Sequence, residues 1–172
     1  GQGGTIYTKP TATLSLSVQG QRPGDTSGLS GAVTSAATTQ ISFASQITLI
    51  AASQYLSGPQ PPVANQASTY SLTWSVKNSS NAVGSASVST VLPAYVSYVS
   101  GGAGIRYVSG SRTLTWQIGD LQASTGYPKA AVSNSFQVSL MPSTSQVGQA
   151  VPLTGTAVLS GTDRFANVKV EA

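Results

Sequence analysis

The chain has 172 residues, enough for one domain with a real core or one domain with an attachment, and only 7% of them are charged. Its eight bases, Lys9, Arg22, Lys77, Arg106, Arg112, Lys129, Arg164 and Lys169, stand singly, so the formal charge of +4 is not gathered into the basic face that nucleic-acid binding uses. With no cysteine or histidine, and with Asp25, Asp120, Asp163 and Glu171 as the only acids, the sequence excludes a disulfide frame and thiolate or imidazole chemistry.

The first ten residues hold three glycines and end in Pro10, and read as a flexible lead without a signal-peptide profile. Any export signal or anchor is expected to have been removed or to lie outside this stretch. Residues 11–18 alternate, with Leu14, Leu16 and Val18 on one side. A turn-rich segment over residues 19–28 leads to a second small-residue strand over 29–37, which together predict a hairpin with a loop of about ten residues. Residues 46–52 form another strand, and Pro59, Pro61 and Pro62 then force an extended path that prevents it from continuing.

Residues 70–76 show the clearest alternation: Tyr70, Leu72, Trp74 and Val76 fall on one face, Ser71, Thr73 and Ser75 on the other. After the turn at residues 77–82, strands are predicted at 86–92, 95–100, 113–118 and 135–141, bounded by Pro93, by glycines and by Pro142. The C-terminal end alternates through Val168 and Val170, and no stretch of ten residues has a helical period. The chain's 28 serines and 19 threonines would point to disorder if apolar residues were scarce, but 40% are apolar and they alternate. The fold class is therefore all-β: an Ig-like antiparallel β-sandwich with an extra N-terminal β-hairpin.

A shift of 124 residues places Leu14-Ser15-Leu16 on Val138-Ser139-Leu140, Gly24 on Gly148, Leu29-Ser30-Gly31 on Leu153-Thr154-Gly155, and Ile41 on Phe165 without a gap. The expected division is residues 1–46, a lead and strands resembling the end of a preceding repeat, and residues 47–172, a whole sandwich module. Such terminal strands, carrying Leu14, Leu16, Val18, Leu29 and Val33, cannot bury an apolar face alone. They must be covered by their own chain or by a neighbour.

The motifs Leu92-Pro93-Ala94-Tyr95-Val96-Ser97-Tyr98-Val99-Ser100 and Trp116-Gln117-Ile118-Gly119-Asp120-Leu121 carry a resemblance. With the tyrosine strand at Tyr70 and the Val76-Lys77-Asn78 turn, they are similar to the Ig-like repeat, a domain of unknown function, found in tandem on bacterial surface proteins. The match spans roughly residues 46–170 and resembles the versions on large surface proteins of very small, host-dependent bacteria. It implies a place at the cell exterior and no catalytic residues.

No other constellation points to chemistry. The acids are far apart and sit near turns or ends, so turn and cap roles outweigh a carboxylate pair such as Asp120 with Asp163. A dense calcium loop is missing. Lys77, Asn167 and Asp120 or Asp163 are the residue types of an intramolecular isopeptide bond, but the alternation turns Lys77 outward, where that chemistry does not run. Trp74 and Trp116 sit mid-strand and read as core; Tyr95, Tyr98 and Tyr107, near strand ends, remain open between core and ligand platform. Asn78-Ser79-Ser80 is a sequon in form and turn chemistry in this context.

No catalytic, cofactor or metal site is expected, and no membrane span. The expected function is a structural module of an extracellular or cell-surface protein, self-associating with copies of itself or with neighbouring repeats into tandem or fibrous assemblies. The alternative is an adhesin-type or carbohydrate-binding module facing a host or neighbouring cell.

Overall fold

The computed structural model describes residues 7–21 and 32–172, in which eleven strands make three sheets. β1 (Thr11–Gln21) and β2 (Ala32–Ser42) pair only with each other. The remaining strands are β3 (Ile47–Ser57), β4 (Ser68–Asn78), β5 (Val83–Val91), β6 (Val96–Gly101), β7 (Ile105–Val108), β8 (Thr113–Leu121), β9 (Val132–Leu140), β10 (Val158–Asp163) and β11 (Val168–Glu171). They form a four-stranded sheet in the order β3-β4-β9-β6 and a five-stranded sheet in the order β11-β10-β5-β8-β7. All named strand pairings are antiparallel, and among the described residues the one helical element is a single turn at Thr144–Gln146. The five strands expected between residues 70 and 141 are β4, β5, β6, β8 and β9.

The alternation of β4 explains the layering. Its even residues Leu72, Trp74 and Val76 are buried, as are Phe136, Val138 and Leu140 of β9 beside them. Val88 of β5, Leu114 and Trp116 of β8 and Leu159 of β10 join the same core from the other sheet. Trp74 meets Phe136 edge-on with ring centroids 4.7 Å apart. The opposite face of the four-stranded sheet is hydroxyl-lined: Thr73 pairs with Ser135 and Ser75 with Ser133, each with oxygens 2.8 Å apart.

One expectation from the 124-residue shift is corrected. β1 and β2 are a hairpin, in register from Thr11↔Ser42 to Gln21↔Ala32, whereas their counterparts β9 and β10 lie in opposite sheets. Residues 141–157, interrupted by Pro142 and Pro152, carry the chain from one sheet to the other, where β10 finds β5 and β11. The second strand of the hairpin also runs later than the expected 29–37. The expected lead over residues 1–6 and the turn segment with Arg22, Asp25 and Leu29 lie outside the described residues, as does the side chain of Val33.

Candidate functional site

The hairpin of β1 and β2 is an amphipathic ribbon. Leu14, Leu16 and Val18 stand opposite Thr39, Ala37 and Ser35, so they share a face with Ile41, while Thr13, Ser15 and Ser17 share the other with Gln40, Thr38 and Ala36. The Ser15 and Thr38 hydroxyls lie 3.4 Å apart on that polar face. Leu14, Leu16, Val18 and Ile41 are 60%, 64%, 56% and 48% exposed. Among the described residues nothing of this chain covers them.

The root of the ribbon is held by a network of buried hydrogen bonds. Asn81, buried in the turn after β4, receives the Lys9 amide on Oδ1 at 2.9 Å and donates from Nδ2 to the Phe43 carbonyl at 3.0 Å. Both strands are thereby tied to one side chain. Ser45, buried between β2 and β3, donates its hydroxyl to the Asn81 carbonyl and accepts the Asn81 amide at 2.7 Å. Asn78 donates to the carbonyls of Asn81 and Gln122 at 2.6 and 3.0 Å, which holds the turn itself.

Asp163, at the end of β10, closes the junction. Its Oδ2 accepts the Ser45 amide at 2.6 Å and Asn81 Nδ2 at 3.0 Å, and its Oδ1 accepts the amides of Phe165 and Ala166 at 2.8 Å each. Burial works to raise its pKa, but the Ala166 and Ser45 amides and the Asn81 and Ser45 side chains outweigh it and hold the carboxyl down at about 2. The group is an ionised structural anchor with its acceptor sites filled, not a proton carrier at neutral pH.

The other residues singled out from the sequence are dispersed. Asp120 forms an exposed pair with Arg164 at 2.6 Å and does not join Asp163. Lys77 lies over the Tyr127 ring at 5.2 Å and packs against Gly126, while Asn167 is exposed in the β10–β11 turn with φ of 54°, without the burial that an isopeptide bond needs. Trp74 and Trp116 are core. Tyr95, Tyr98 and Tyr107 are half-buried against it, Tyr98 and Tyr107 stacking at 5.2 Å where β6 and β7 face each other. Asn78, the sequon asparagine, is buried with its amide nitrogen engaged. Among the described residues no acids, cysteines or histidines gather in a metal-holding group, and no helix is long and apolar enough to cross a membrane.

Sequence reasoning missed Ser45, Asn81 and a groove at the opposite end of β4. That groove, about 650 Å³, is lined by Pro61, Pro62, Tyr70, Pro142, Val147 and Leu153 among others. Arg112 was read only as a single base. It donates to the carbonyls of Leu92 at 3.0 Å and Pro93 at 2.5 Å, and to that of Val96, gathering the β5–β6 turn.

No protein-family model matches the chain, and no curated protein does. Among solved structures it is similar to a GH20 exo-β-N-acetylglucosaminidase from Vibrio harveyi at 16% identity and TM-score 0.38, covering 76% of this chain and 17% of that one. It is also similar to the Fcho1 Mu homology domain of Danio rerio with bound Eps15 peptide, at 9% identity and TM-score 0.37, over 95% of this chain and 71% of that one. Likeness at this level carries no conclusion about activity.

Proposed function

We propose that the chain is a structural module of an extracellular or cell-surface protein that self-associates through its N-terminal ribbon. The observation that carries the reading is the apolar face of Leu14, Leu16, Val18 and Ile41, uncovered among the described residues, on a ribbon whose root is pinned by Asn81 and Asp163. An unpaired two-stranded ribbon is marginal in water alone, and a pinned one is held out where a partner can complete it. We read the chain as non-catalytic: Asp163 is saturated by donors, and Asp120 and Glu171 are paired with Arg164 and Lys169. The surface location rests on the resemblance of the Leu92–Ser100 and Trp116–Leu121 motifs to tandem surface repeats.

The test is the mass in solution of the whole chain and of a version beginning at Phe43. The whole chain is expected to associate with rising concentration; the shortened chain, which keeps Phe43 and Ser45, is expected to stay folded and monomeric. Unfolding of the shortened chain with no association by the whole one would make the ribbon part of a single larger core and end the proposal.

A second reading, a carbohydrate-binding module, has the groove beside Tyr70, with the Gln146 and Gln149 amides in its wall, in its favour. Glycan binding by the shortened chain would select it.

A further inference from the structure

Four strand edges end the two sheets of the sandwich, and three are protected in the ways that keep edges from pairing. β7 has four residues and carries Arg106; β11 has four and carries Lys169 and Glu171; β6 has six and a register shift between Tyr98 and Ser100. β3 is different. It runs for eleven residues with no charge and no proline, and its pairing with β4 is unbroken from Ile47 to Tyr55.

The side of the sandwich at β3 is open as well. At the opposite side the stacked rings of Tyr98 and Tyr107 close the space between the sheets. Ala51 and Ser53 of β3 stand opposite Trp74 and Leu72 of β4 and so face inward, yet both are exposed. β10 packs across from β3, and beside it at the sheet edge β11 sets Val168 and Val170 opposite Asp163 and Gly161, on the inner face of its sheet, with Val168 exposed.

We propose that the open edge of β3 is a strand-acceptor site whose occupant is the β1–β2 ribbon of a second copy of this chain. This rests on the self-association proposed above and names its two surfaces. The ribbon has the two faces of the sheet it would extend. Its hydroxyl face continues that of Ser71, Thr73 and Ser75, and Leu14, Leu16 and Val18 turn inward over Ala51 and Val168. Donor strands, over their described residues, and acceptor edge are free of charge and proline, and each donor strand is long enough to run the length of β3.

Size decides that both features must engage. Eleven residues make an edge roughly 36 Å long on a sheet about 10 Å thick, so edge pairing alone covers roughly 700 Å² over both partners, short of the roughly 1,200 Å² at which specific interfaces begin. The inner residues of the neighbouring β11 add apolar contact with the ribbon over about 13 Å of its length, which brings the interface toward that size. A partner that offered only backbone would not suffice.

The experiment uses two full-length variants, each changed at an exposed position so that the sandwich is undisturbed: Leu16→Lys in the ribbon and Ala51→Lys in the edge. Equal urea midpoints establish that both fold. In sedimentation velocity the wild type is expected to associate, and each variant alone to do so at least about tenfold more weakly. Their equimolar mixture is expected to form a one-to-one dimer, because the Ala51→Lys copy still has a ribbon to donate and the Leu16→Lys copy still has an edge to receive it. An Ala51→Lys variant that associates like the wild type overturns the edge assignment while self-association stands. A mixture that stays monomeric overturns the donor–acceptor pairing. A wild type that is monomeric at every concentration removes self-association itself.

Discussion

Replacing Asp163 by Ala should both destabilise the protein and flatten its response to acid. The change leaves the buried Ser45 amide and one of the two N–H groups of Asn81 Nδ2 without an acceptor, at about 1–3 kcal/mol each, while the Phe165 and Ala166 amides lie in a part-buried turn that water can serve. The expected loss at pH 7 is therefore about 2–6 kcal/mol in urea denaturation. The wild type carries its own signature of the same contacts. Its carboxyl has a folded pKa of about 2 against an ordinary value of 3.8, so its contribution is full above pH 3.8 and is lost as pH falls through 2. The shift corresponds to about 2 kcal/mol, or nearer 1 if solvent screens the carboxylate at this end of the sandwich. Wild-type stability should fall by that amount between pH 5 and pH 2 beyond any fall in the variant. Parallel pH profiles for the two proteins would mean that Asp163 does not hold the junction.

Two further outcomes test the frame that carries the ribbon. Trp74→Ala should cost about 3–5 kcal/mol, read as a shift in urea midpoint, since Trp74 is 1% exposed and its loss removes the edge-on contact with Phe136. Arg112→Ala should cost about 1–3 kcal/mol by releasing three carbonyls of the β5–β6 turn, with faster amide exchange confined to residues near Pro93; uniform exchange across the sandwich would contradict the local role.

Much of the fold was legible because the strands of this protein are half-buried. Where one face meets the core and the other meets water, apolar residues alternate with Ser and Thr, and Tyr70 to Val76 writes the arrangement of β4 directly. β7 was not read, since four residues between glycines are too few for a period to show. The pairing of β9 and β10 could not be taken from the 124-residue shift, because alternation marks which face a residue takes and is silent about which strand lies beside it.

The root of the ribbon was half legible. Asp163 followed by Arg164, Phe165 and Ala166 has the form of a turn in which a carboxylate accepts amides two and three residues on, and Oδ1 does so. Its Oδ2 takes partners 118 and 82 residues away, and no local pattern reports contacts of that span. Ser45 and Asn81 are ordinary members of a Ser- and Asn-rich chain until the fold brings them together.

The low charge of the chain links its composition to the assembly it is proposed to form. Edge strands of β-proteins are kept apart chiefly by lysines, prolines and short length, and a sequence with 7% charged residues has little to spend on that task. Arg106 stands on β7, and Lys169 and Glu171 on β11; no charge falls within β1, β2 or β3. Those three strands are also consecutive in the chain, joined between β2 and β3 by residues 43–46, whose Ser45 is fixed by Asp163. The pinned junction separates the two unprotected elements of one copy, holding the ribbon away from the edge it resembles. Under the proposal, each copy then offers a donor and an acceptor to a second copy.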